Sequence, residues 1–153
     1  MKVAVFSDTH GSLARLPMVL AAFPALDAVL HLGDFAGDGE AIAESLSVPC
    51  YAVRGNCDFR GNAPWERVAE LGGARLLLTH GHRYSGLYAL ALAAEAQRCN
   101  AVLFGHTHSP LLTAQGACLI VNPGSLSRPR GSAPGYALLT IEGGEVKAEL
   151  RSL

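Results

Sequence analysis

The residues able to do chemistry stand in five short polar punctuations: Asp8-Thr9-His10, Gly33-Asp34, Gly55-Asn56-Cys57-Asp58, His80-Gly81-His82 and Gly105-His106-Thr107-His108. Each follows an apolar run of strand length. Together they supply carboxylates, an amide and imidazoles, the inventory of a two-metal hydrolytic centre. Asp8 and His10 lie two residues apart in a turn, near enough to bind one ion, and His106 and His108 repeat that spacing. The Asp34 carboxylate has two oxygens and can bridge two cations, while Asn56 offers an amide oxygen and His80 an imidazole nitrogen. Mixed nitrogen and oxygen ligation without thiolate suits Mn²⁺, Fe, Zn²⁺, Co²⁺ or Ni²⁺ rather than a structural Cys₄ zinc. Two ions about 3.5–4 Å apart can hold a hydroxide between them and stabilise both oxygens of an in-line displacement. Phosphate esters are the natural substrate, because their negative oxygens bind the ions directly.

These residues need elements that bring them together. Lys2–Phe6, Asp27–Leu32 and Pro49–Val53 read as buried strands, with helices at Leu13–Ala22 and Asp38–Ser45 between them. Ser12 is the expected cap of the first helix and Pro24 its stop. Such alternation predicts a largely parallel sheet covered on both faces. The second half changes character. Glu66–Glu70 and Ala74–Thr79 flank Gly72-Gly73, a hairpin signal, and Tyr84 or Ser85 to Arg98 is a long helix. Strands follow at Ala101–Phe104, Leu111–Ala114, Ala117–Val121, Tyr136–Ile141 and Glu145–Arg151. Two packed sheets with helices outside satisfy both halves. In open α/β sheets, ligands bind at the carboxyl ends of strands, and Asp8, Asp34, Asn56, His80 and His106 all sit just past such ends.

Composition narrows the function classes. The 153 residues are half apolar, 16% charged and carry a net charge of −1, without a run of lysine or arginine, so a basic nucleic-acid footprint is unsupported. The length predicts one domain over residues 1–153. No segment is apolar and long enough to cross a bilayer, and the N-terminus does not read as a signal peptide. Cys50, Cys57, Cys99 and Cys118 show no Cys-x-x-Cys spacing, so reduced thiols in a cytoplasmic protein are expected. There is no Gly-x-Ser-x-Gly elbow and no P-loop.

Asp-x-His, Gly-Asp, Gly-Asn-Cys-Asp, His-Gly-His and Gly-His-Thr-His, in this order, resemble the calcineurin-like metallophosphoesterases, and within them the compact YfcE-type phosphodiesterases. The resemblance runs from Lys2 through Asn122-Pro123-Gly124-Ser125 to the last strand. It implies a four-layer αββα sandwich of two mixed sheets flanked by helices, with the metal site at strand C-terminal ends. It also implies that Asp8, His10, Asp34 and His108 hold one metal, that Asp34, Asn56, His80 and His106 hold the other, and that Asp34 bridges. Two divalent ions, manganese first, would activate a hydroxide against a small phosphate ester, with Asp34, Asn56 and His80 as the catalytic residues. Many family members have a histidine where Cys57 stands, and that histidine is thought to protonate the leaving group or steady the phosphate. No general acid can therefore be named here. Cations beside the Cys57 thiol would lower its pKa and leave it a poor donor. Relatives in the compact branch are often dimers or larger, a homo-oligomeric state the sequence leaves open. A retromer subunit shares the fold and serves chiefly as a scaffold, so a non-catalytic interaction module is the alternative function; a small phosphate-binding regulator is a third.

Other residues have plainer readings. His31 lies inside an apolar strand and reads as a core histidine. His82 sits either behind the ligands or in a solvated loop, and Asn56, His82 and Arg54 are candidates for touching substrate. Arg60, Arg83, Arg128 and Arg130 could bind phosphate, although surface arginines are common. Asp58 should orient a neighbouring ligand. Asn122–Ser125 reads as a turn with Gly124 at positive φ, and Trp65 as a packing anchor. Without a cap domain the site should be open, leaving substrate choice to the loops at Phe59–Trp65 and Gly81–Ser85 or to a neighbouring subunit.

Overall fold

The computed structural model describes residues 1–22 and 25–153. Its first sheet has the order β10-β9-β1-β2-β3, built from β1 (Lys2–Phe6), β2 (Ala28–His31), β3 (Cys50–Ala52), β9 (Gly135–Glu142) and β10 (Glu145–Ser152). The second has the order β4-β5-β6-β8-β7, from β4 (Glu66–Leu71), β5 (Ala74–Thr79), β6 (Ala101–Leu103), β7 (Pro110–Gln115) and β8 (Cys118–Pro123). Both sheets are mixed. β1, β2 and β3 run parallel, as do β5, β6 and β8, while β9, β10, β4 and β7 join antiparallel.

The apolar strands have no polar face because both faces are covered. Val3, Val5, Leu30, Leu76, Leu78 and Leu103 point between the sheets, where residues of both meet in one core. Their neighbours Ala4, Phe6 and Val29 point outward against α1 (Leu16–Ala21) and α2 (Ala36–Leu46). Leu77, Val102 and Ile120 face α3 (Leu87–Ala96) on the other side. The period-2 alternation of strands thus divides continuous apolar runs between two cores, giving four layers, helix–sheet–sheet–helix.

The helix ends differ from the sequence reading. Ser12 does not cap α1. Its N–H donates to the Thr9 carbonyl in a turn, and the helix starts after Arg15 with Pro17 in its first turn, where a missing N–H costs nothing. The expected stop at Pro24 lies outside the described residues. α2 begins at Ala36 rather than Asp38, because Asp58 accepts the N–H groups of Phe35 and Ala36 at 3.0 and 2.8 Å. That cap comes from a distant loop. All four cysteines are free thiols, as the spacing predicts.

Candidate metal centre

The C-terminal ends of β1, β2, β3, β5 and β6 converge on one edge, and the chain leaving each end carries the polar punctuations. The loops are stitched to one another directly: Asp8 N–H donates to the Gly33 carbonyl at 3.0 Å, His10 N–H to Asp34 at 3.3 Å and Gly105 N–H to His80 at 3.0 Å. Glycines make this approach feasible. A Cβ on Gly55 would run into the Asp34 carboxylate and sit 2.6 Å from the Asp34 nitrogen, and one on Gly105 would sit 2.8 Å from Asp8 Oδ2.

Asp8, His10, Asp34, His106 and His108 all have positive φ, between 49° and 66°. Non-glycine residues enter this left-handed region at a cost, and Asp and His tolerate it better than most. Such strain clusters where a backbone must aim side chains at a common point. Here it aims one donor atom each of Asp8, His10, Asp34 and His108 to within 4.8 Å of one another. A second gathering surrounds Asn56 Oδ1, which lies 3.1 Å from His80 Nε2 and 3.1 Å from His106 Nδ1. Asp34 belongs to both: Oδ2 is 3.6 Å from His10 Nε2, and Oδ1 is 3.4 Å from His80 Nε2. All seven residues named from the sequence are therefore brought together.

The protonation pattern suits metal ligation. His80 Nδ1–H donates to the Leu32 carbonyl at 2.7 Å, and His108 Nδ1–H to Arg128 at 2.6 Å, so both present a bare Nε2 inward. Burial drives the His80 pKa down to about 4, leaving the ring neutral at pH 7. Asp8 Oδ2 accepts from the Ser7 hydroxyl at 2.6 Å and the His106 N–H at 3.0 Å. Its Oδ1 is buried without a hydrogen-bond partner and faces His108 Nε2 at 3.1 Å. Burial raises the Asp8 pKa to about 6. Burial would also raise Asp34, but the Cys57 N–H at 2.8 Å and the His80 ring hold it below its ordinary value. A buried carboxylate oxygen without a hydrogen-bond donor, facing imidazole nitrogens, forms a donor set that fits a divalent metal.

Neighbouring residues support the loops. His31 is a core histidine: Nε2 meets Thr9 Oγ1 at 3.0 Å, the Gly33 N–H approaches Nδ1 at 3.3 Å, and burial lowers its pKa to about 4. Asp58 orients no ligand side chain. It takes the Gly55 N–H at 2.7 Å besides those of Phe35 and Ala36, fixing the backbone on either side of Asp34 and Asn56. Cys57 lies beside Asp34, and burial together with a thiol hydrogen bond to that carboxylate raises its pKa to about 11. In the metal-free protein the thiol thus holds its proton, the reverse of what bound cations would do.

His82 packs behind the ligands, its ring 5.4 Å from His80 and 6.0 Å from His106, with Nδ1 buried and unbonded. Arg54 is turned away: Nε–H donates to the Ala63 carbonyl at 2.9 Å, and its guanidinium lies 4.6 Å from the centroid of Trp65. Arg128 and Arg130 instead line a cavity of about 500 Å³ with His10, Asp34, Asn56 and His108. Trp65 is 40% exposed, so it is a platform for Arg54 rather than a packing anchor.

The Asn122–Ser125 segment is a turn with Gly124 at φ 76°, and it is also a clasp. Buried Asn122 donates to the Gly105 carbonyl at 2.8 Å and to Thr107 Oγ1 at 3.1 Å, and accepts the Gly124 N–H at 2.9 Å. The Ser125 hydroxyl donates to the Asp8 carbonyl at 2.7 Å, and the Ser127 hydroxyl to Thr9 at 2.7 Å. The sequence marks Asn122–Ser125 as a turn but not as a clasp, and Ser127 carries no sequence signal.

Comparison with known proteins agrees with this geometry. Residues 1–144 match the model of the calcineurin-like phosphoesterase superfamily domain, and the chain belongs to that family. It is 33% identical to the probable metallophosphoesterase YsnB of Bacillus subtilis over 147 residues, covering 93% of this chain and 85% of that one. It is 34% identical to the phosphodiesterase YfcE of Escherichia coli K12 over 165 residues, covering 91% and 87%. The structure of Vps29 from Entamoeba histolytica complexed with Zn²⁺ superposes with a TM-score of 0.81 over 99% of this chain and 98% of the other; at 22% identity this shows the fold alone. Among the described residues, no helix is long and apolar enough to cross a membrane.

Proposed function

We propose that the chain is a metal-dependent phosphodiesterase acting on small phosphate esters at a dinuclear centre. The observation that carries this reading is Asp34, whose two oxygens face separate donor groups, His10 on one side and His80 on the other. Asp8, His10 and His108 complete one set around Asp34, and Asn56, His80 and His106 the other. When bound, two divalent ions, manganese first, supply Lewis acidity and generate a nucleophile from water near neutral pH. The chain's own residues do the rest. The carbonyls of Leu32 and Arg128 hold Nδ1 of His80 and His108, so that Nε2 is the nitrogen each ring offers to a metal. Arg128 and Arg130 bring positive charge to the cavity, where guanidinium groups can pair with phosphoryl oxygens.

His82, packed against the His80 and His106 rings, supports the ligands from behind. Cys57 replaces no general acid, since cations bound beside its thiol would favour the thiolate and leave it a poor proton donor. The enzyme therefore favours esters with good leaving groups. The core shared by both sheets supports residues 1–153 acting as one unit, and four free thiols suit a cytoplasmic setting.

The test is hydrolysis of bis-p-nitrophenyl phosphate by metal-stripped protein before and after Mn²⁺, beside an Asp34→Asn variant. Metal should restore activity, and the variant should lose it by on the order of 10²–10³-fold or more. A protein that binds two equivalents of metal yet stays inert would favour the scaffold reading instead.

A further inference from the structure

His106 stands between two cavities. One is the polar cavity with Arg128 and Arg130; the other is a groove of about 380 Å³ on the opposite side of the His106 loop. The groove is chemically distinct from its neighbour. Its floor is Leu90 and Phe104, both nearly buried, and its rim is Leu87, Pro110 and Leu111, with Leu87 37% exposed. Its polar side chains are His106 and the hydroxyl-bearing Tyr84, Thr107 and Ser109, and no arginine, lysine or carboxylate lines it. Gly81 and Gly86 border it; a Cβ on Gly81 would press on Phe104 at 3.0 Å, while one on Gly86 would project into open space. Its size is that of a small-molecule site.

Charge is thus sorted across the candidate centre. The cations lie where a phosphoryl group would be held, and the uncharged apolar surface begins one residue away. We infer that the groove is a substrate subsite that takes a neutral, flat apolar substituent of the ester, of the size of an aryl group, while the phosphoryl group lies against the candidate metal ligands. This rests on the phosphodiesterase reading and adds the substrate class: phosphodiesters carrying at least one aromatic or comparably apolar alcohol, rather than sugar-phosphate or other strongly hydrated esters. A strongly hydrated substituent would have more hydroxyls than Tyr84, Thr107 and Ser109 can pair and would set the rest against Leu90 and Phe104, whereas an aryl ring would exchange water for apolar surface.

The test uses two substrates with the same reporter group, phenyl p-nitrophenyl phosphate and methyl p-nitrophenyl phosphate, so that chemistry at the leaving group is held constant. The Mn²⁺-loaded wild type should prefer the phenyl ester by about tenfold or more in kcat/KM, the range a well-fitting apolar pocket supplies. Leu87→Gln, a change at the exposed rim, should shrink that preference several-fold and leave the rate on the methyl ester unchanged; Leu111→Gln should do the same. A second readout does not need turnover. Diphenyl phosphate, but not dimethyl phosphate, should shift the methyl NMR resonances of Leu87, Leu90 and Leu111. Hydrolysis without phenyl preference, or a preference untouched by both variants, overturns the groove as a subsite. Shifts at those leucines in a protein that hydrolyses neither ester would retain the groove and sink the phosphodiesterase reading. The absence of both shifts and preference removes the proposal altogether.

Discussion

The two halves of the candidate centre are built differently. On one side Asp8 and His108 are buried, at 0% and 6% exposure, and their outer atoms are tied by Ser7, the His106 N–H and the Arg128 carbonyl. On the other, His80 is buried but Asn56 and His106 are exposed, and their loops are gripped from outside by Asp58 and Asn122. Asp34 joins the two. The contrast teaches how such a site divides its labour. The buried half bears an electrostatic cost that a cation relieves, so it should be the tighter ion site. The open half stays reachable by substrate, and both cavities beside it share the His106 wall.

The sharpest way to break this division is Gly55→Ala. The new methyl group would strike the Asp34 carboxylate and come within 2.9 Å of His80 Cε1. Activity should fall by on the order of 10²-fold, the penalty for misplacing catalytic groups by about an ångström. Metal analysis should show loss from the open half first, so that one equivalent remains. Retention of two equivalents with normal turnover would mean that the loops yield more easily than their packing suggests.

Asp8→Asn tests the cost borne by the buried half. Because burial raises the Asp8 pKa to about 6, the folded metal-free protein holds a proton that the unfolded chain, near 3.8, has released. Stability is therefore fully present below pH 3.8 and lost as pH rises through about 6. At pH 7 the metal-free variant should be more stable than wild type by about 1–3 kcal/mol, the scale of an unpaired buried polar group. Added Mn²⁺ should reverse the order, stabilising wild type and not the variant. Thermal melts at pH 4 and pH 7, with and without metal, read both effects.

Asn122→Ala asks whether the clasp serves the ligand loop or only the fold. It orphans the Gly124 N–H, leaves the Gly105 carbonyl with the Thr107 N–H alone, and should cost about 1–3 kcal/mol. Metal affinity should drop further than the loss of stability explains, because the Gly105 strand end carries His106 and His108. Denaturant melts combined with metal titration separate the two contributions. The smallest change is expected from Cys57→Ser. Serine keeps a polar group beside Asp34 and leaves the Cys57 N–H bond to Asp34 intact, so the pH–rate profile between 6 and 9 should be unmoved and the rate altered less than about threefold. A lost inflection in that range would restore the thiol to the chemistry.

What could be read in the sequence follows from locality. The strands were legible because apolar runs bounded by polar turns announce themselves within a few residues, and with them the strand ends that carry the ligands. The two-sheet sandwich followed from a βαβ half leading into an antiparallel half. Ser12 misled because a serine before an apolar run can equally close a turn. The cap on α2 by Asp58, the grip of Ser125 and Ser127 on Asp8 and Thr9, and the place of Arg128 are pairings between distant segments. Only the folded chain displays them. Trp65 misled for another reason, since its size predicts burial while its neighbours Arg54 and Arg83 provide cover without enclosing it.

The left-handed backbone at Asp8, His10, Asp34, His106 and His108 has a consequence for any attempt to redesign the centre. It filters the alphabet before chemistry does. Exchanges among aspartate, asparagine and histidine can be sampled there with little backbone penalty, whereas threonine, valine or isoleucine would push the loop out of shape whatever their side chains offered. A library built to alter metal preference is therefore smaller than its positions suggest, and it is best spread over Asn56 and His80, where the main chain imposes no such restriction.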